Sequence, residues 1–323
     1  MFANWQLMLL SFLYIALLFL IAYLGDKYRH FIQGKRQALI YAFAVSVYCT
    51  SWSFLGTTGQ AATSVYSYLP IYLGPVLLLV FAWPFLQRII QTSITFNLTS
   101  IADLLAARFG KSHALAILVT IVSLVGTMPY IALQIKAIVY SFQQLQIHQD
   151  FKPWQLGLVT SCVLAGFSML FGIRNIDVTE RHPGVMLAIA FEALVKVAAF
   201  ASVGIFVCYV VFDSPQDIWQ QASNNAKLAS ALQFPDISAM VGMIIIVMAA
   251  FFVLPRQFHV MIVELRDEQD AWLSRRIFPL YLLVFALFSA PLGLAGYLLL
   301  GNSVPADMYV LVLPWFLDQT WLT

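Results

Sequence analysis

The chain alternates long uncharged apolar runs with short polar connections. Residues 1–25, 37–87, 114–135, 153–173, 237–255 and 277–306 hold no Asp, Glu, Lys or Arg, and 183–212 is interrupted only by Glu192 and Lys196. A helix that crosses a bilayer needs about 20 apolar residues at ~1.5 Å each, so the run 37–87 accommodates two. The pattern predicts eight helices, over 4–25, 37–60, 68–90, 113–142, 154–173, 184–212, 237–262 and 276–300. Membrane strands would instead alternate apolar and polar residues, which these runs do not. Between the third and fourth helices, Ser100–Gly110 reads as a short interfacial helix. Ser100 is placed to cap it, Asp103 lies in the first turn, Ile101, Leu104, Leu105 and Phe109 form one apolar face, and Gly110 ends it.

Composition sharpens this reading. Of 323 residues, 61% are hydrophobic and 10% charged, against roughly 25% charged in soluble domains. That excludes a cytosolic enzyme, a disordered chain and a nucleic-acid binder, and predicts an all-α polytopic membrane protein whose solvent is the lipid bilayer. The net charge of +2 says little; its distribution says more. Alternate connections carry Lys27, Arg29, Lys35, Arg36, Arg88, Arg108, Lys111, Arg174, Arg181, Arg256, Arg266, Arg275 and Arg276, which is 13 of the 17 basic residues. By the positive-inside bias these face the cytoplasm and the N-terminus lies outside. The first apolar segment has no basic start and no small-residue cleavage site, and reads as a retained helix rather than a signal peptide. Trp154 and Trp219 then lie near the outer surface and Trp83 and Trp272 near the inner one. Lys136, about 35 Å along its helix, snorkels outward.

Four places carry candidate chemistry. In the second helix, Ser51, Trp52, Ser53, Gly56, Thr57, Thr58 and Gly59 put hydroxyls and glycines where mid-membrane is expected. Close helix packing is one reading; a broken helix whose freed backbone groups line a cavity is the other. In the seventh, Phe251-Phe252-Val253-Leu254-Pro255-Arg256-Gln257-Phe258-His259 places a proline about 27 Å along the span. Pro255 marks either the inner end of the span or a break within a longer one. Arg256 is either an inner anchor or, with Gln257 and His259, the mouth of a cavity. In the sixth, Glu192 and Lys196 share a face at the i, i+4 spacing that lets them pair, structurally or as a coupling device. In the fourth, Tyr130 and Gln134 share a face beside Pro129, which is expected to kink the helix. Before the sixth helix, Arg174–His182 is a dense polar turn, read as a solvated loop or a contact for a cytoplasmic domain. Cys49, Cys162 and Cys208 fall inside helices as small apolar filler, with no disulfide or metal-binding spacing. There is no phosphate-cradling glycine loop, His-Glu-x-x-His or nucleophile elbow, so no catalytic residue is assigned.

The stretch Ser100-Ile101-Ala102-Asp103-Leu104-Leu105-Ala106-Ala107-Arg108-Phe109-Gly110 resembles a motif of the sodium:solute symporter family. Asp177-Val178-Thr179-Glu180-Arg181-His182, Ala190-Phe191-Glu192-Ala193-Leu194-Val195-Lys196 and Leu254-Pro255-Arg256-Gln257-Phe258-His259 together resemble a narrower bacterial group. In that group a symporter-like domain precedes a sensor histidine kinase of the histidine or carbon–nitrogen utilisation type. The resemblance implies a multi-pass protein of the bacterial inner membrane with an inverted-repeat (5+5) bundle. Here 1–36 would be a peripheral helix and loop, 37–212 the first repeat and 237–323 the start of an incomplete second. About five further helices are implied, so the chain reads as this fold cut short after about eight.

The resemblance also implies a small amino-acid ligand, such as histidine, held between the second, fourth and seventh helices. Ser51, Trp52, Ser53, Gly56, Tyr130, Gln134, Phe251 and Pro255 are its expected contacts, and Glu192, Lys196, Arg256 and His259 the coupling or gating residues. Proline transporters of the family carry an aspartate in the second helix. Tyr48–Trp52 here holds no carboxylate, which argues against Na+ and toward H+ coupling or ligand sensing. No cofactor is expected in the chain. A C-terminal kinase domain and a response regulator are the implied partners. A stand-alone symporter and a membrane anchor without ligand are the alternatives.

Overall fold

The computed structural model describes residues 3–146, 151–172, 182–265 and 268–319. Every regular element among them is helical. The elements are α1 (Asn4–Lys27), α2 (Lys35–Tyr48), α3 (Trp52–Thr63), α4 (Leu69–Phe81), α5 (Trp83–Phe96), α6 (Ile101–Arg108), α7 (His113–Leu145) and α8 (Pro153–Leu170). They continue with α9 (Pro183–Val211), α10 (Pro215–Asn224), α11 (Ala226–Ala231), α12 (Ile237–Val253), α13 (Pro255–Val263), α14 (Glu268–Leu300) and α15 (Ala306–Phe316). Five helices, α1, α7, α8, α9 and α14, are each long and apolar enough to cross a membrane. The pairs α2/α3, α4/α5 and α12/α13 bend by 68°, 74° and 58° and bring the number of spans to as many as eight. The chain is an all-helical, polytopic membrane protein.

α14 runs through the middle of the molecule, packed on α2, α3, α4 and α9. Its Phe278 and Phe285 are fully buried; Phe285 stacks on Phe200 of α9 with ring centres 4.7 Å apart. α7 is the opposite case. Ile117, Leu118, Ile121, Val122, Leu124 and Val125 all point outward, the pattern of a helix whose apolar face is covered by lipid tails rather than protein. α1 lies on α9 through a glycine contact. A Cβ at Gly184 would strike the Ala22 carbonyl oxygen, and the Gly184 N–H donates to Asp26 Oδ1 at 2.8 Å.

The breaks in the second and seventh predicted helices are present, at Cys49–Ser51 and at Leu254. The third predicted helix, read as one span over 68–90, departs from expectation: it turns at Ala82 and continues to Phe96. Pro84 has no N–H to return to the Val80 carbonyl one turn earlier. Arg275 of α14 takes up the freed backbone, with Nε on the Leu79 oxygen at 3.1 Å and Nη2 on that of Val80 at 3.3 Å, while its guanidinium covers Trp83. α7 runs from His113 to Leu145 with Pro129 inside it. The eighth helix already includes Glu268, ahead of the expected 276, and Gln87 and Gln91 of α5 both donate to the Glu268 carboxylate.

Two short helices were not expected between the sixth and seventh spans, and a third follows the eighth. α10 and α11 bury Ile218, Ala222 and Leu228 completely, and the Ala231 carbonyl accepts from Val65 N at 2.9 Å. The short helix at Ser100–Gly110 forms as α6. Ser100 Oγ accepts from Asp103 N at 3.1 Å, and Gly110 takes a φ of +70°. Its buried residues are Ile101, Ala102 and Ala106, while Leu105 and Phe109 of the expected apolar face point outward. Of the cysteines, Cys49 and Cys208 are buried, Cys162 is exposed, and all three are free.

Candidate functional site

The break between α2 and α3 strips several carbonyls of their helical donors. Three side chains from two distant elements replace them. Gln257 Nε2 donates to the Val45 oxygen at 3.1 Å and Arg256 Nη2 to that of Tyr48 at 3.3 Å, both from α13. Lys196 Nζ, from α9, donates to the Cys49 oxygen at 3.1 Å and pairs with Glu192 at 2.6 Å. A backbone carbonyl left bare inside a membrane protein costs several kcal/mol by order of magnitude, so the unwound segment persists because these groups reach it. Lys196 lies 13 residues into α9, about 20 Å from its start and so at mid-bilayer depth.

The opposite wall comes from α7. Tyr130 Oη donates to Thr50 Oγ1 at 3.0 Å, and Ser51 Oγ donates to Gln134 Oε1 at 2.5 Å. The Arg256 guanidinium lies 4.6 Å from the centre of the Tyr130 ring. Ser51, Tyr130, Gln134, Arg256 and Lys196 therefore converge on one three-residue break. α3 starts there, and no side chain caps its first turn, which leaves the positive end of a helix dipole facing this cluster.

The other expected contacts lie elsewhere. Phe251 is fully buried, stacked on Phe278 and set edge-on to Tyr48 with ring centres 5.5 and 5.2 Å away; it belongs to the aromatic core rather than an open wall. Pro255 is exposed and opens the first turn of α13. Trp52 is 40% exposed, its ring lying against Gly56, where a Cβ would meet it at 2.8 Å. Ser53 is buried, and its carbonyl accepts from Thr57 Oγ1 at 2.9 Å and Tyr72 Oη at 3.3 Å. The stretch holds both a helix break and close packing, in different parts of it. Residues 49–51 are the break. Gly59 is packing, since a Cβ there would strike the Asp307 backbone at 2.8 Å.

Sequence reasoning missed a hydroxyl seam beside the break. Tyr72 Oη donates to Thr57 Oγ1 at 3.0 Å, and Thr57 Oγ1 lies 3.2 Å from Ser289 Oγ, tying α3, α4 and α14 together. It also passed over Glu264. That carboxylate is buried and gathers His182 Nδ1 at 2.9 Å and His259 Nε2 at 3.3 Å on the same oxygen. Its other oxygen accepts from the His182 N–H at 2.8 Å. Burial alone would raise its pKa; the hydrogen bonds from His182 and His259 outweigh that and hold it down at about 2. His259, grouped with Arg256 and Gln257 from the sequence, belongs to this second cluster. The one available signal for Glu264 was a single carboxylate in an otherwise apolar stretch, five residues after His259. The polar turn at Arg174–Arg181 lies outside the described residues.

No curated protein and no solved structure matches the chain. One family does, over a stretch that runs from just before α2 to the end of α7 and so includes the break and its Tyr130–Gln134 wall: residues 31–146 match the sodium:solute symporter family.

Proposed function

We propose that the chain is the ligand-sensing membrane domain of a bacterial sensor histidine kinase, built on the symporter plan and responsive to a small amino acid. The observation that carries the ligand site is the meeting of Ser51, Tyr130, Gln134 and Arg256 at the break between α2 and α3. A zwitterion suits it. Its carboxylate would face Arg256 and the uncapped start of α3, and its ammonium the Gln134 Oε1 acceptor on α7. In this reading residues 37–212 form one five-helix repeat and 237–323 begin its inverted partner, each opening on a broken helix. The N-terminus lies outside the inner membrane and the basic connections in the cytoplasm. Ligand binding shifts the helix arrangement through its different affinity for two states, and the attached kinase and its response regulator read that shift. The kinase context rests on the motifs around His182, Lys196 and His259.

The test uses the purified chain in detergent and a panel of amino acids, L-histidine first. At least one should raise the unfolding temperature. Tyr130→Ala removes the ring under Arg256 and should weaken that ligand about tenfold, the effect of losing roughly 1–2 kcal/mol of cation–π energy. Ser51→Trp should abolish binding by filling the break. If no amino acid stabilises the chain, or both variants bind like the parent, the reading is wrong. Coding sequence beyond Thr323 separates sensor from transporter: a kinase domain supports the first, further helices alone the second.

Lys196 favours the proton over sodium as coupling ion. Its ammonium already sits on a carbonyl freed by the break, where a bound cation would otherwise be expected. Uptake into proteoliposomes that follows a sodium gradient and ignores a proton gradient would overturn this.

A further inference from the structure

We propose that His182, His259 and Glu264 form a binding site for a divalent transition metal of the zinc class. The three residues come from separate places in the chain: His182 precedes α9, His259 lies on α13, and Glu264 follows α13. Their ligand atoms all lie within 4.8 Å of one another. Tetrahedral ligands about 2.1 Å from a metal are about 3.4 Å apart. The two separations to Glu264 Oε1, 2.9 and 3.3 Å, are close to that edge, so a metal needs only small side-chain shifts to enter.

The chemistry of the set fits as well. Two imidazoles and one carboxylate are the donors of the open, three-ligand zinc sites, which keep a fourth position for water. The Glu264 side chain is 4% exposed and that of His259 46%, so the cluster has a buried floor and an open side. The bond from the His182 N–H to Glu264 Oε2 fixes the carboxylate orientation, the supporting contact that metal sites use to aim a ligand. A small cleft adjoins it, lined by Glu264, Pro183, Met186, Tyr41, Gln37 and Asp270.

The placement gives the metal a consequence. α9 carries Lys196 and α13 carries Arg256, the two cations that hold the carbonyls of the break. A metal on His182, His259 and Glu264 would tie the start of α9 to the end of α13 and fix the spacing of those cations. The site itself does not depend on what binds at the break.

The chain, purified in detergent and stripped with a chelator, is titrated with Co2+ alone and then with Zn2+. One Co2+ per chain should bind and give the visible absorption of a four- or five-coordinate site, and Zn2+ should displace it. Glu264→Gln should weaken binding about 100-fold or more. His259→Ala should do the same, and because His182 still bonds both Glu264 oxygens this variant should remain folded without metal. A His30→Ala/His113→Ala variant should bind like the parent. Absence of the absorption in the parent, its survival in His259→Ala, or its loss in the His30/His113 variant would each refute the site.

Discussion

Lys196→Met should be among the most damaging single substitutions in the chain. It leaves the Glu192 carboxylate and the Cys49 carbonyl without their shared donor at mid-membrane depth. Removing one partner of a fully buried ion pair costs about 3–5 kcal/mol. Here the side chains are 27% and 36% exposed, so about 2 kcal/mol is expected. Glu192→Gln/Lys196→Met should recover most of that loss, since it removes the stranded charge and leaves only the carbonyl bare. Unfolding of the four proteins in mixed detergent gives the double-mutant cycle, with a coupling of about 1–2 kcal/mol. If Lys196→Met costs the same with and without Glu192, the pair is not the source of the loss. The same substitution should abolish any uptake driven by a proton gradient.

The Glu192–Lys196 contact was legible in the sequence because it is local. A four-residue spacing on a helix fixes proximity whatever the rest of the fold does. The broken second helix was legible for a related reason: hydroxyls and glycines accumulate where an intact span would have no use for them. What was not legible depends on partners far along the chain. Trp83–Pro84 offered a helix break, but the 74° turn persists in a membrane because Arg275, almost 200 residues later, donates to the Leu79 and Val80 carbonyls. Glu264, just after α13, and His182, the last residue of the Asp177–His182 motif, carry no signal of each other, yet they share two contacts. Phe251 shows the same limit from the other direction. An aromatic at the end of a span can line a cavity or fill a core, and only the stack on Phe278 decides.

Glycine contacts are the other feature hidden from composition, and they set the second large effect. Gly293→Val should unfold or misassemble the bundle, while Gly126→Val should be silent. Gly293 lies where α14 crosses α3; a Cβ there would meet the Thr58 carbonyl oxygen at 2.6 Å, the Ala62 nitrogen at 2.8 Å and the Ala61 Cβ at 3.0 Å. Two of those are backbone atoms, which cannot swing aside as a side chain does, so the helices must separate. Separation also pulls apart Ser289 and Thr57, one turn away along α14, and with them the hydroxyl seam to Tyr72. Overpacking a fixed crossing costs about 1–3 kcal/mol, and the lost hydrogen bond adds about 1 kcal/mol. At Gly126, on the outward face of α7, a Cβ meets no atom within 4 Å. Thermal unfolding and size-exclusion profiles of the two variants, made side by side, separate a crossing effect from the general cost of valine in a helix. Equal losses at both positions would show that the α3–α14 contact is not what holds the break in place.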